Sequence, residues 1–249
     1  MVTIGIDLAA QPQDTAACEV RWHQTHAEIV DWHNHLSDEK ILALIEKADK
    51  VGIDIPLGWP TEFVRAVYRH HSSNRKWPKV SMRRLRLRAT DRFVAGTAGI
   101  WPLSVSTDRI GIPAARAASI LSNLPWKVDR TGIGKVVEVY PAAALKVWGF
   151  DFRSYKGSQG KTTRENLVRV WTHQTEAWGR WTEEVLAAAR QDDNLFDAVI
   201  ASTVARCAAL NLTLPVPPNL KRRARIEGWI AVPLPNSLMN LFPALKMNT

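Results

Sequence analysis

The sequence predicts an α/β fold, a mixed β-sheet flanked by helices, and three observations carry that expectation. The apolar runs at 2–10 and 50–60 both alternate Val or Ile with smaller residues and both pass through the same triplet, Gly5-Ile6-Asp7 and Gly52-Ile53-Asp54. Between them lie two further strand patterns and one amphipathic helix, which is the content of a meander followed by a crossover. About eighty residues then separate the Asp54 strand from the next apolar run at 135–140, far more than a crossover helix uses, which marks an insertion.

Taken in order, the first strand ends at Asp7, and 17–22 and 26–30 follow as two short strands around a polar turn at His23 to Thr25. Ser37 then caps a helix with Asp38 and Glu39 in its first turn and Ile41, Leu42 and Ile45 as its apolar stripe. That helix returns the chain to the sheet at Lys50, and the right-handed crossover rule places the Asp54 strand parallel to the first and beside it.

The insertion spans 56–134. In it Thr61 is expected to cap a helix that uses Phe63, Val64 and Val67, 91–95 to be helical, and 113–124 to form an Ala-rich helix with Pro113 in its first turn. The strand at 135–140 stops at Pro141, where the helix 141–147 begins. Gly160-Lys161-Thr162 imitates the end of a phosphate loop, but the required first glycine falls on Tyr155 and no strand enters the loop. Thr162 with Glu165 reads instead as a capping box opening a helix through Leu167, Val168 and Trp171. Residues 192–211 form a further helix, and 230–232 a short strand after the basic segment. One domain over 1–249 is expected, with a basic segment and tail at 215–249.

An acid at the end of a buried strand needs a reason, because an unpaired carboxylate taken out of water costs several kcal/mol or changes its pKa. Two such acids side by side, Asp7 and Asp54, raise each other's pKa unless a cation lies between them. Glu138 interrupts an apolar strand and joins them as a candidate. On the helix at 192–211, Asp193 and Asp197 share a face that Ala201, Ala205 and Ala208 continue with small side chains, so the helix can approach the sheet closely and bring Asp197 toward Asp7 and Asp54.

The net charge is +9, and it is uneven. From Thr61 to Arg92 ten basic residues, among them Arg75, Lys76, Arg83, Arg84, Arg86 and Arg88, stand against two acids, a local balance of +8. Lys221, Arg222, Arg223 and Arg225 make a smaller cluster, and Lys156 and Lys161 flank the KGSQGK loop. Basic residues interleaved with tryptophans suit a nucleic-acid backbone with stacked bases, so nucleic acid is the expected partner and Arg83, Arg84, Arg86, Arg88, Lys156 and Lys161 the expected phosphate contacts. A solvated basic face is the plain alternative. Two cysteines, Cys18 and Cys207, give no disulfide framework, no apolar run is long enough for a membrane span, and no leader pattern opens the chain, which together point to the cytoplasm.

With Gly5-Ile6-Asp7, Gly52-Ile53-Asp54-Ile55-Pro56-Leu57-Gly58, Arg88-Ala89-Thr90-Asp91, Glu138-Val139-Tyr140-Pro141-Ala142 and Asp192-Asp193 with Asp197-Ala198, most of the chain resembles domain-of-unknown-function family 429. That family is described as predicted nucleases with a ribonuclease H-like fold, and the stretch from Glu138 through Ala198 is similar to RuvC-type Holliday-junction resolvases. The resemblance implies a five-stranded sheet of order 3-2-1-4-5, Asp7, Asp54 and Asp197 as metal ligands, and Asp193 as a fourth acid. The resolvases usually carry Glu where this chain has Asp54, and their last two acids are three apart, a spacing that falls here on Asn194.

Hard carboxylate oxygens suit Mg²⁺ or Mn²⁺, whereas the seven histidines show no zinc-ligand spacing in the sequence. The expected activity is metal-dependent hydrolysis of a nucleic-acid phosphodiester with two ions, the acids Asp7, Asp54, Glu138, Asp193 and Asp197 forming the site. Two other classes fit the same pattern. An actin-like phosphotransferase or ATPase needs glycine-rich phosphate turns, which the chain lacks, and a non-catalytic nucleic-acid binder needs only the basic insertion.

Overall fold

The computed structural model describes residues 1–73 and 77–242, so Arg75 and Lys76 of the basic run lie outside the described residues. The chain begins with β1 (Val2–Asp7), β2 (Ala16–Trp22) and β3 (Ala27–Asn34), an antiparallel meander, and α1 (Asp38–Lys47), whose N-cap Ser37 accepts a hydrogen bond from Lys40 N. It then returns as β4 (Lys50–Asp54), parallel to β1 and paired with it from Thr3↔Lys50 to Asp7↔Asp54. The insertion folds as α2 (Thr61–Ser73), α3 (Met82–Arg86), α4 (Ala89–Ala98) and α5 (Gly111–Ser122) before β5 (Val136–Glu138) joins β4 in parallel. After α6 (Pro141–Val147) come α7 (Lys161–Thr175), β6 (Gly179–Arg180), α8 (Glu183–Gln191), α9 (Asp193–Ala209) and α10 (Lys221–Glu227).

The sheet is mixed and has six strands in the order β5-β4-β1-β2-β3-β6. This corrects the expected five: the two residues of β6 add to the outer edge of β3 through Ala27↔Gly179 and Glu28↔Arg180. Two residues give no periodicity, so the sequence carries no strand signal there.

Alternation along the strands sorts their side chains into two layers. Ile4, Ile6, Val51 and Ile53 pack with Ile41, Leu44 and Ile45 of α1 and Ala114, Ala117 and Ile120 of α5. The other face carries Thr3, Gly5, Asp7, Gly52 and Asp54 and meets α9, which is buried nearly all round. Both glycines are there for contact. A Cβ on Gly5 would lie 1.8 Å from the Ala198 carbonyl oxygen, and one on Gly52 would lie 2.2 Å from that of Ala201. Thr3 Oγ1 and Ser202 Oγ, 2.6 Å apart, share a hydrogen bond that pins the same approach.

Several local expectations change. Lys161 opens α7 after a 3-10 turn at Ser158–Gly160 with no side-chain cap, so the Thr162–Glu165 capping box does not form. Thr61 is the first residue of α2 rather than its cap, and its backbone N–H donates to Glu227 Oε1 at 3.0 Å. Only Ala66 of α2 is buried, while Val64, Val67 and Tyr68 face solvent. Residues 230–232 make no strand of their own, and Ile230 forms a single parallel bridge to Glu138. Among the described residues no helix is long and apolar enough to cross a membrane.

Candidate metal centre

Parallel register sets Asp7 and Asp54 opposite each other at the C-terminal ends of β1 and β4. The two-residue period puts both on the α9 face, directly after the glycines that admit the helix. Asp197, in the first turns of α9 and fully buried, reaches the same place. The three are electrostatically linked. Burial, then Asp54 and Asp197, hold the Asp7 carboxyl well above the usual range. Asp54 is pushed up to about 7 by burial, with Asp197 and Glu138 adding and Lys156 opposing. Burial also raises Asp197, against the lowering effect of Lys156 and of the Tyr155 hydroxyl.

The loop before α7 supplies what opposes these charges. Tyr155 Oη donates to Asp197 Oδ1 at 2.5 Å, and Lys156 Nζ lies 2.5 Å from Asp197 Oδ2. The lysine contact is an ion pair rather than an aligned hydrogen bond, since Asp197 Oδ2 has no hydrogen-bond partner of acceptable geometry. Burial works to lower the Lys156 pKa, but Asp197, Asp7 and Asp54 together raise it above its ordinary value. About half of the lysine side chain, 54%, stays in solvent, so the ammonium reaches the acids from the surface. Arg164, buried at the start of α7, fixes the loop by donating to the Tyr155 carbonyl at 2.7 Å and the Gly157 carbonyl at 3.1 Å.

Asp193 stands behind this arrangement. Its Oδ1 accepts from Gly157 N at 3.0 Å and from Arg164 Nη1 at 3.5 Å, so it orders the loop that carries Lys156, while Asp192 is the N-cap of α9. Glu138 is not an open ligand either. Its two oxygens take Arg88 Nη2 at 2.6 Å, Arg88 Nη1 at 2.8 Å and Leu57 N at 3.0 Å. Arg88 is therefore not a phosphate contact: it is 1% exposed and is also held by Asp91 Oδ1 at 2.8 Å. The basic run hid this because composition does not show which arginine turns inward; Arg88 and Asp91, three apart at a helix start, were the available sign.

Arg83, Arg84 and Arg86 do stand exposed on α3, with Arg83 over the Trp101 ring at 5.2 Å, and Lys161 is exposed at the start of α7. Ser106 and Ser104 donate to the Leu85 and Arg86 carbonyls and so hook α3 to the segment that roofs the acids. Beneath that segment lies a cavity of about 230 Å³ bounded by Asp7, Asp54, Lys156, Tyr140, Leu103 and Arg109. Arg109, isolated from the basic run in sequence, enters the site only through the fold.

The donor set, carboxylates whose pKa burial and mutual repulsion raise, suits a hard divalent cation. The spacing is wider than a closed metal cage. Among the described residues the group of three ligand side chains with atoms within 4.8 Å of one another is His23, His26 and Glu28, on the β2–β3 turn at the opposite end of the sheet, which the histidine spacing in the sequence did not reveal. Asp7, Asp54 and Asp197 do not form such a group.

No curated protein and no solved structure matches the chain significantly. One family profile does, over residues 5–222, a span that includes both Gly-Ile-Asp strands, Arg88, Glu138, Lys156 and Asp197. The chain belongs to that family, described as a protein of unknown function (DUF429).

Proposed function

We propose that the protein is a metal-dependent phosphodiesterase acting on nucleic acid, a nuclease built on a ribonuclease H-like sheet. The observation that carries the reading is the in-register pair Asp7 and Asp54, side by side on one face at a cavity, with the pKa of both carboxyls raised by burial. Support for the fold comes from the meander β1 to β3, the crossover through α1 and the parallel β4 and β5. Asp7 and Asp54 are the residues that would hold Mg²⁺ or Mn²⁺, with Asp197 at their side. Such an ion, when bound, supplies a water of lowered pKa and polarises the phosphoryl oxygen.

The chain's own groups do the rest. Arg109 and Lys156 line the cavity and offer positive charge to a phosphate, and Leu103 and Tyr140 form part of its walls. Outside, Arg83, Arg84, Arg86 and the exposed Trp101 offer a backbone grip with a stacking surface. The test is cleavage of single-stranded and duplex DNA and RNA, and of a nitrophenyl phosphodiester, with Mg²⁺ or Mn²⁺. Cleavage by the parent and its loss in Asp7→Asn and Asp54→Asn is the expected result. Salt-dependent binding without cleavage under any metal makes the protein a binder only.

A further inference from the structure

The Lys156 ammonium stands where a second cation would. Three carboxylates carry a charge of −3 when ionised, and Lys156 brings the balance to −2, which is the charge one divalent ion neutralises. The contacts divide in the same way. Asp197 is claimed on one oxygen by Tyr155 Oη and on the other by Lys156 Nζ, both at 2.5 Å, while Asp7 and Asp54 stand side by side at the ends of β1 and β4.

The spacing also argues against one ion shared by all three acids. Two oxygens bound to one Mg²⁺ are at most about 4.2 Å apart, twice a bond of roughly 2.1 Å. Asp7, Asp54 and Asp197 are not a group whose ligand atoms all fall within 4.8 Å, so the three do not close on one ion as they stand. The loop that carries the lysine is also built to stay. Arg164, 3% exposed, ties the Tyr155 and Gly157 carbonyls through buried and partly buried contacts, and Asp193 takes Gly157 N at the surface, so Lys156 is held on both sides. A lysine serving only as a loose phosphate contact would have no need of this frame.

We infer that the site takes one divalent metal ion, between Asp7 and Asp54, and that Lys156 is its permanent second cation, paired with Asp197. The inference rests on the metal reading given above and replaces the two-ion arrangement with one ion and one ammonium. Asp197 is then a positioning residue that acts through Lys156.

Mn²⁺ binding to the full chain, freed of metal by a chelator and measured by calorimetry and by electron paramagnetic resonance, decides it. The parent is expected to bind one Mn²⁺ per chain. Lys156→Met is expected to bind a second ion, or the first at least about tenfold more tightly, and Lys156→Arg to restore the single ion. No Mn²⁺ bound by the parent would overturn the metal reading itself, and this inference with it. Two ions in the parent, or one ion of equal affinity in parent and Lys156→Met, would overturn the inference alone. The half-exposed position of Lys156 lets the variant fold, and Tyr155→Phe gives an independent check. Removing the Tyr155 hydroxyl that donates to Asp197 is expected to leave the stoichiometry at one, and a second ion in this variant would overturn the inference.

Discussion

Around Arg88 every buried carboxylate oxygen has a partner, whereas around Lys156 three carboxylates share one ammonium. Asp91 and Glu138 are bonded on both oxygens by Arg88 and by backbone N–H groups, and Glu227 takes Ala89 N at 2.7 Å, Thr61 N at 3.0 Å and Arg223 Nη1 at 3.1 Å. This network joins α4, β5, α10 and α2, and so fastens the insertion to the sheet. Asp197 ties only the loop of Tyr155 and Lys156 to α9. Both clusters lie in or beside one cavity, but Asp7 and Asp54 are only partly buried, whereas Asp91, Glu138 and Glu227 are fully buried. Charge balance also sets them apart: the first network is saturated and acts as a joint, and the second is short of positive charge.

The contrast is sharpest in stability. Arg88→Met leaves Glu138 and Asp91 buried without a counter-ion and is expected to cost about 3–5 kcal/mol, read as a lowered denaturant midpoint. A loss below about 1 kcal/mol would mean that the joint is ornamental. Asp7→Asn and Asp54→Asn, in the other cluster, should leave the metal-free protein as stable as the parent or more so while erasing its response to Mg²⁺. Equal Mg²⁺ shifts in mutant and parent thermal melts would break the comparison.

A smaller effect comes with pH. The folded Asp54 carboxyl titrates near 7 against 3.8 for the ordinary group. Its contribution is therefore fully present below the lower value and is lost as pH rises through the higher one. Metal-free melts should fall between about pH 4 and pH 7, and Asp54→Asn should flatten that fall. Saturating Mg²⁺ should oppose it, because the ion binds the deprotonated form. A metal-free profile that rises over this window in the parent would contradict the burial of an unneutralised acid.

The smallest effect on folding belongs to α3. Neutralising Arg83, Arg84 and Arg86 together should barely move the melting temperature, since exposed charges contribute little. Nucleic-acid binding should weaken, and its dependence on log salt should flatten by roughly one unit per lost contact. An unchanged slope in a folded variant makes the run a solvated face.

These two clusters also show what a sequence discloses. The strand ends are legible because an alternating pattern is local, and the repeated Gly-Ile-Asp makes the pairing of β1 with β4 readable from the residues alone. The same pattern does not disclose why the glycines are there, since their partners Ala198 and Ala201 are carbonyls on a helix far along the chain. Arg88 and Arg84 look alike in a run of arginines, yet one is buried and the other exposed. Lys156 reads as a phosphate contact because its neighbours in sequence are a glycine-rich loop, while its neighbours in space are acids. Side chains whose roles are set by tertiary partners leave no periodic trace.

The contact between β1 and α9 has a consequence for how the chain is made. Thr3 and Ser202 are hydrogen-bonded across 199 positions. At roughly 5–20 residues per second of synthesis, the interval between them is roughly 10–40 s. During that time β1 and β4 exist on the ribosome without the helix that covers their glycine face. The acidic cluster is thus assembled late, after α9 has emerged, and a nascent chain interrupted earlier carries Asp7 and Asp54 without Asp197 beside them.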